Sequence, residues 1–529
     1  MEKREKQPGY FWIVLISMVL GLLLGLLVAP GGLSRQSQSA KSVLAQKALE
    51  IAELVEDEYV DEIDSDTIGD AILNAMLLSL DPHSHYLSAK ELSQESELMQ
   101  GDFGGIGVIL HYIGDTVYVG TVMDDGPSKN SGLHPGDMIV AVNGDTVSGV
   151  HMDREETLNR IRGAKGTKVS LQVQRLGKKE PLQYTIVRGM VRTPSITYVG
   201  MLDASTGYVS LSRFSETTAV EFHDALKRLL GNGMKHLVLD LRGNGGGLLT
   251  AAVAVADELL PKGELIVYTQ GSHQRRQNVK SSRGGLFEEG SLTVMIDEYS
   301  ASASEIVAGA VQDNDRGTVV GRRSFGKGLV QNQFVLADKS AVWLTVARYY
   351  SPSGRCIQRP YNNGSQEYYY DFLERLANVP TSNDSTFYDV VPTDSTRFFT
   401  KKGRVVYGGG GITPDNIFPY IVDSATVAFN RLVNSGRPSE VAFDFVRTDG
   451  SAVRVKYPTA TAFIKEFAVP ESVVDEAMNG VKLQPRQKGR FRALMKAYVA
   501  QSLYGNNAFY SIYLSIDDDV SRVKNMVKK

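Results

Sequence analysis

Between Gly207 and Gly354 the chain alternates short apolar runs with segments whose apolar residues recur at helical spacing. That alternation restricts this stretch to an α/β layer with crossover connections. His236-Leu237-Val238-Leu239-Asp240-Leu241 reads as a buried strand, and Leu248–Leu260 as the helix after it. Leu292–Ile296 reads as a second strand of the same kind. Two small-residue segments interrupt the pattern: Gly243-Asn244-Gly245-Gly246-Gly247 after the first strand, and Ser300-Ala301-Ser302-Ala303-Ser304-Glu305 after the second.

The serine segment has two readings. Ser302-Ala303-Ser304-Glu305 fits the S-x-x-E capping box, with Ile306, Val307, Ala310 and Val311 forming the apolar face of the helix it opens. A serine at a helix start also sits beside free N–H groups and the positive end of the dipole, where an oxyanion is stabilised. Its alanine neighbours leave room for a substrate backbone.

A nucleophile needs a base. All eight histidines lie upstream, His83 to His273, and none stands beside an Asp or Ser in a pattern that reads as a triad. Lys327, in Ser324-Phe325-Gly326-Lys327-Gly328, is the better candidate. Gly321–Lys327 matches G-x-x-x-x-G-K, but Gly328 replaces the Mg²⁺-binding hydroxyl and a strand-like run follows, so a phosphate loop is rejected. A lysine base must be neutral, and desolvation brings its pKa down. Gln331, four residues on, faces the same side as Lys327 if both lie in one strand, and so orients it without adding charge. The glycine turn fails G-x-G-x-x-G because residue 248 is leucine, yet its bare N–H groups suit an anion.

The flanks read differently. Gly101–Val187 has short strands and glycine turns, with strands at Val117–Val119 and Met138–Val142, the turn Asn143-Gly144, a helix over Thr157–Arg162 and a strand over Lys168–Val173. Helices are expected over Lys41–Val60 and Thr67–Leu80, the second stopped by Asp81-Pro82. His83 and His85 read as loop residues, since no third metal ligand accompanies them. Residues 361–400 read as a low-order insertion and 421–529 as α-rich. Tyr10–Ala29 is a run of 20 uncharged residues, about one hydrocarbon core as a helix, preceded by Lys3, Arg4 and Lys6. It is expected to be an uncleaved anchor with the bulk of the chain outside the cytoplasm, and Gly, Ser and Gln make 30–40 a linker. A net charge of −3 gives no footprint for nucleic acid, and the single cysteine, Cys356, excludes an internal disulfide and a cysteine-built zinc site.

Asp240–Gly247, Ser300–Glu305 and Phe325–Gln331, in that order and with 25 positions between Ser302 and Lys327, resemble the C-terminal processing peptidases, or tail-specific proteases. Gly101–Val187 resembles the PDZ domain these enzymes carry. The likeness spans roughly Lys41 to Tyr420. It implies an α/β multidomain chain: anchor and linker over 1–40, helical segment over 41–100, PDZ domain over 101–190, crotonase/ClpP-like α/β serine protease core over 191–420, and α-rich region over 421–529. It implies Ser302 as nucleophile, Lys327 as general base and Gln331 as its orienting partner. The oxyanion hole falls to the N–H groups of Ala303 and of Gly246 or Gly247, with no metal and no cofactor. In PDZ domains a G-Φ-G-Φ loop binds a terminal carboxylate, here Gly105-Ile106-Gly107-Val108, with Ile106 helping to line an apolar pocket. The expected partners are proteins or peptides with free, apolar C-termini and the membrane, with no nucleic acid; self-association into a homo-oligomer is left open. The expected location is the inner membrane, as a single-pass protein with its catalytic part on the periplasmic side. The competing classes are a non-catalytic PDZ scaffold of the envelope and a hydrolase of small esters or amides.

Overall fold

The computed structural model describes residues 34–62, 65–123, 125–282, 284–377, 396–420 and 423–528. The anchor expected at Tyr10–Ala29 lies outside the described residues. Among those described, no helix is long and apolar enough to cross a membrane. The described residues divide between Ala75 and Met76 into two compact units. In the first, a helix spans Ser34–Glu58, so residues 34–40 are helical rather than linker.

The second unit holds the rest. The PDZ part is a sheet in which Val108–Ile113 pairs with Thr116–Val122, which pairs with Met138–Val142, followed by Lys168–Gln174 and Leu182–Val187. Asn143 and Gly144 both have positive φ and turn the chain so that Val142 faces Asp145, as the Asn-Gly pair predicts. Inward residues alternate along Lys168–Gln174, where Val169, Leu171 and Val173 are fully buried. The helix is Arg154–Ile161. Asp102–Gly105 pairs with Gly189–Arg192 and closes the domain on its own ends.

The protease core is built on a parallel sheet. Thr206–Leu211, His236–Asp240, Ser291–Ile296, Thr318–Gly321 and Asn416–Ile417 lie side by side, with Ile196–Met201 antiparallel at the edge. Helices Thr218–Gly231, Leu249–Asp257 and Ala303–Asp313 pack in the same core as these strands. A parallel sheet covered on both faces needs continuous apolar strands, which is why Leu237, Val238 and Leu239 are all fully buried. Three loops therefore emerge from the carboxyl ends of neighbouring strands: 241–248, 297–302 and 322–328.

A second, antiparallel sheet lies beyond, with Leu329–Val335 and Leu265–Gln270 both pairing with Ala341–Tyr350. His85–Leu87 joins it, so the end of the expected helical segment is part of the core. The expected low-order insertion is a helix over Ser365–Ala377 and a strand pair, Arg397–Phe399 with Val405–Tyr407; residues 378–395 lie outside those described. The C-terminal region is α-helical throughout its described length, around Phe463, Phe491 and Met495. Its Phe443 stacks on His111 of the PDZ part at 4.4 Å.

Candidate active site

The three serines have different surroundings. Ser300 and Ser304 are fully buried. Ser300 Oγ donates to the Leu241 carbonyl at 2.8 Å, and Ser304 Oγ donates to that of Asn244 at 2.8 Å. They do not cap the helix; they sew the serine turn to the glycine loop. Ser302 is half-buried and stands at the N-cap of helix Ala303–Asp313 with φ +53° and ψ −111°. A non-glycine residue in that region is strained by about 1–3 kcal/mol. Such strain on a strand-to-helix turn is how a nucleophile elbow lifts its hydroxyl out of the chain.

Glu305, only 1% exposed, joins this turn to the lysine loop. Its Oε2 accepts the N–H of Ser302 at 2.8 Å and that of Lys327 at 2.9 Å. Its Oε1 accepts Ser324 Oγ at 2.5 Å and Gly326 N–H at 2.8 Å. One carboxylate oxygen thus touches the backbone nitrogens of both sequence candidates. Burial pushes the Glu305 pKa up to about 7, against the lowering effect of those hydrogen bonds. Tyr349 makes the second link: its hydroxyl lies within hydrogen-bond reach of the carbonyls of Ser302 and Lys327.

Lys327 has no carboxylate at ion-pair distance among the described residues. Burial holds its pKa below the usual lysine range, while Glu95, Asp81 and Glu305 pull it back upward. His83 lies close enough to feel that charge: burial, then Lys327, push its pKa down to about 3. Its Nε2 is 3.1 Å from the Tyr368 hydroxyl, so this loop histidine borders the site. Gln331 does not bond Lys327. A register shift between Val330 and Gln331 breaks the strand alternation, and Gln331 Nε2 donates to the His83 carbonyl.

Next come the donors for an anion. Gly246 abuts the serine turn, where a Cβ on it would fall 2.8 Å from Ser302 Cβ and 3.2 Å from Ala303 N. Its N–H, however, donates to Asn244 Oδ1 at 2.9 Å, while Asn244 Nδ2 holds the Leu211 carbonyl at 2.8 Å. Of the two expected glycine donors, Gly246 is therefore occupied. The N–H groups of Gly247 and Ala303 have no acceptor among the described residues. Sequence reading saw Glu305 only as a helix cap and missed Asn244 and Tyr349. The S-x-x-E spacing was the one local signal for Glu305.

In the PDZ part, the N–H groups of Ile106 and Gly107 likewise have no acceptor among the described residues. Gly107 has φ +71°, and a Cβ there would meet Gly126 Cα at 2.6 Å. The Ile106 side chain is 2% exposed and packs inside the domain, so it does not line an open pocket. Val108 opens the strand that follows. Among the described residues no cluster of three or more metal-ligating side chains converges.

Residues 205–363 match the model of peptidase family S41, 104–186 that of the PDZ domain, and 428–505 that of a family of unknown function, DUF8443. With the α/β core, these define the class: a PDZ-bearing serine protease. The carboxy-terminal-processing protease of Bartonella bacilliformis is 38% identical over 317 residues, 58% of this chain and 71% of that protein. The carboxy-terminal processing protease CtpA of Bacillus subtilis is 30% identical over 358 residues, 67% of this chain and 76% of that protein. A solved photosystem II D1 C-terminal processing protease is 29% identical, covering 58% of this chain and 88% of that one, with a TM-score of 0.33. The chain belongs to the carboxy-terminal processing proteases of peptidase family S41.

Proposed function

We propose that the chain is a membrane-anchored endopeptidase with a Ser302–Lys327 dyad, which processes or degrades envelope proteins from their C-terminal tails. The observation that carries the dyad is the Glu305 oxygen shared by the Ser302 and Lys327 backbones. Neutral Lys327 takes the proton from Ser302 Oγ as that oxygen attacks the scissile carbonyl. The carbonyl oxygen, now an anion, meets the N–H groups of Ala303 and Gly247. Collapse breaks the C–N bond, and Lys327 gives its proton to the leaving amine. Water then repeats the sequence on the acyl-serine. A general base works best with its pKa near the operating pH, which disfavours His83 at about 3.

The free N–H pair at Ile106 and Gly107 supports recognition of a terminal carboxylate, with the tail added as a strand along Val108–Ile113. The apolar run Tyr10–Ala29 supports the anchor and an extracytoplasmic catalytic part. The deciding experiment is hydrolysis of a denatured protein by the wild type and by Ser302→Ala. Turnover by the wild type alone supports the reading, whereas cleavage by neither protein supports the scaffold alternative. For the anchor, the protein stays in the membrane pellet after a high-salt wash; recovery in the soluble fraction with a new N-terminus near Gly31 overturns it.

A further inference from the structure

We propose that Asp517 and Asp519, at the start of the chain's last helix, are positioning residues that hold the three active-site loops in register. This rests on the reading that loops 241–248, 297–302 and 322–328 carry the catalytic groups. Arg242 in the first loop and Arg322 in the third meet the same turn of the C-terminal region, and Glu298 in the second is reached through Arg322. Arg242, where the glycine loop begins, pairs through Nη2 with Asp517 Oδ2 at 2.9 Å and through Nη1 with Asp519 Oδ2 at 3.4 Å. Arg322, leading into the lysine loop, pairs through Nη1 with the same Asp519 oxygen at 2.9 Å. Arg322 Nε in turn reaches Glu298, four residues before Ser302, at 3.2 Å.

These side chains are 7–17% exposed, so the pairs are not solvent-screened surface contacts. Removing one partner of a buried pair leaves the other charge uncompensated. Asp240 also chelates Arg242, at 2.6 Å, which fixes the guanidinium from the sheet side while Asp517 fixes it from the tail side. The turn is itself held firmly: Val520 and Val523 are fully buried and pack with Tyr208, Val238 and Val320 of the core sheet. The matched S41 segment ends at residue 363, yet the oxyanion and lysine loops are tied to residues 517 and 519. The C-terminal region thus gains a role: it completes the scaffold of a site whose chemistry lies elsewhere in the chain.

The test uses Asp517→Asn, Asp519→Asn and Asp519→Glu in the full chain, with Asp518→Asn as control. Asparagine at 517 keeps a cap on the last helix while losing the charge. Asp518 pairs with Arg490 within the helical region and reaches none of the three loops. Kinetics are measured per active site, counted by titration with a serine-reactive fluorophosphonate. Loosening a catalytic constellation by a fraction of an ångström to an ångström costs up to about a hundredfold in rate. The expected result is kcat down by roughly ten- to a hundredfold in Asp519→Asn and Asp517→Asn, with KM nearly unchanged, partial recovery in Asp519→Glu and wild-type behaviour in Asp518→Asn. If both asparagine variants melt lower but keep wild-type kcat per titrated site, the role is only structural and the proposal fails. If Ser302→Ala still turns over substrate, it is the dyad reading that has failed, which separates the two outcomes.

Discussion

Two pairs of backbone donors without acceptors among the described residues, Ala303 with Gly247 and Ile106 with Gly107, are built differently. In the core, the N–H groups of Ala303 and Gly247 sit within a fully wired network: Glu305 and Asn244 occupy the donors around them, and Ser300 and Ser304 lace the two loops together. In the PDZ part, Ile106 and Gly107 offer their N–H groups from one glycine turn backed by Gly126 and Pro127. The first suits charge that appears only during reaction, where donors must be fixed in advance. The second suits a carboxylate that arrives fully charged and tolerates some adjustment. Rate should depend steeply on the first and selectivity on the second.

The sharpest break is at the proposed dyad. Ser302→Ala, Lys327→Ala and Lys327→Arg should each lower kcat by about 10⁴-fold or more, because members of a catalytic unit fail together. Arginine does not deprotonate in the usable range, so activity in Lys327→Arg would return attention to the histidines. Circular dichroism of each variant checks that the fold survives.

Glu305 tests the wiring itself. Glutamine at 305 keeps one acceptor oxygen and cannot serve all four donors. Hydrogen bonds to charged groups are worth about 1.5–3 kcal/mol, so kcat should fall by roughly ten- to a hundredfold. The pH behaviour is more telling. The four bonds are complete only when Glu305 is ionised, so wild-type activity should rise with pH through about 7, alongside the rise as Lys327 loses its proton. Stability should move the other way. A carboxyl whose pKa climbs from 4.5 unfolded to about 7 folded holds its proton more tightly in the folded state, so stability declines across that window and levels off above it. Melting curves at several pH values should show that decline in the wild type and lose it in Glu305→Gln.

At the PDZ pair the effect should be of similar size but confined to selectivity. Amidating the C-terminus of a peptide substrate should cost about ten- to a hundredfold in kcat/KM, the loss of one charge-assisted hydrogen bond. Equal kcat/KM for free and amidated versions would mean that Ile106 and Gly107 do not read the carboxylate. The smallest change is expected at Gln331→Ala, about 1 kcal/mol or less in stability through the His83 carbonyl, with kcat within a few-fold of wild type. A much larger loss would restore the direct lysine-orienting role expected from strand alternation.

What could be read in the sequence follows the distance over which each feature is encoded. The strands, the glycine loop, the serine turn and the lysine loop are local patterns, and the fold places the last three at the ends of adjacent parallel strands. Gln331 misled because alternation assumes a regular ladder, and a register shift has no signature in Leu329-Val330-Gln331. Asn244 lies inside a motif already noted, but which glycine its amide would occupy depends on the Leu211 carbonyl, 33 positions away. Tyr349 lies on a strand whose alternation gives no hint that its hydroxyl ends between the serine turn and the lysine loop. The Ser365–Ala377 helix was obscured by tyrosine-rich polar composition, although Tyr368 is buried at 2% exposure.

The backbone at Ser302 has a consequence for how such an enzyme ages under mutation. Its φ of +53° is one that glycine adopts without strain and serine does not. Ser302→Gly should therefore be inert yet melt higher than the wild type, while Ser302→Ala keeps the strain. The proposed nucleophile stands at a position where losing the activity and gaining robustness are the same step. Selection for folding alone would push this residue towards glycine, and only continued need for catalysis holds the hydroxyl in place.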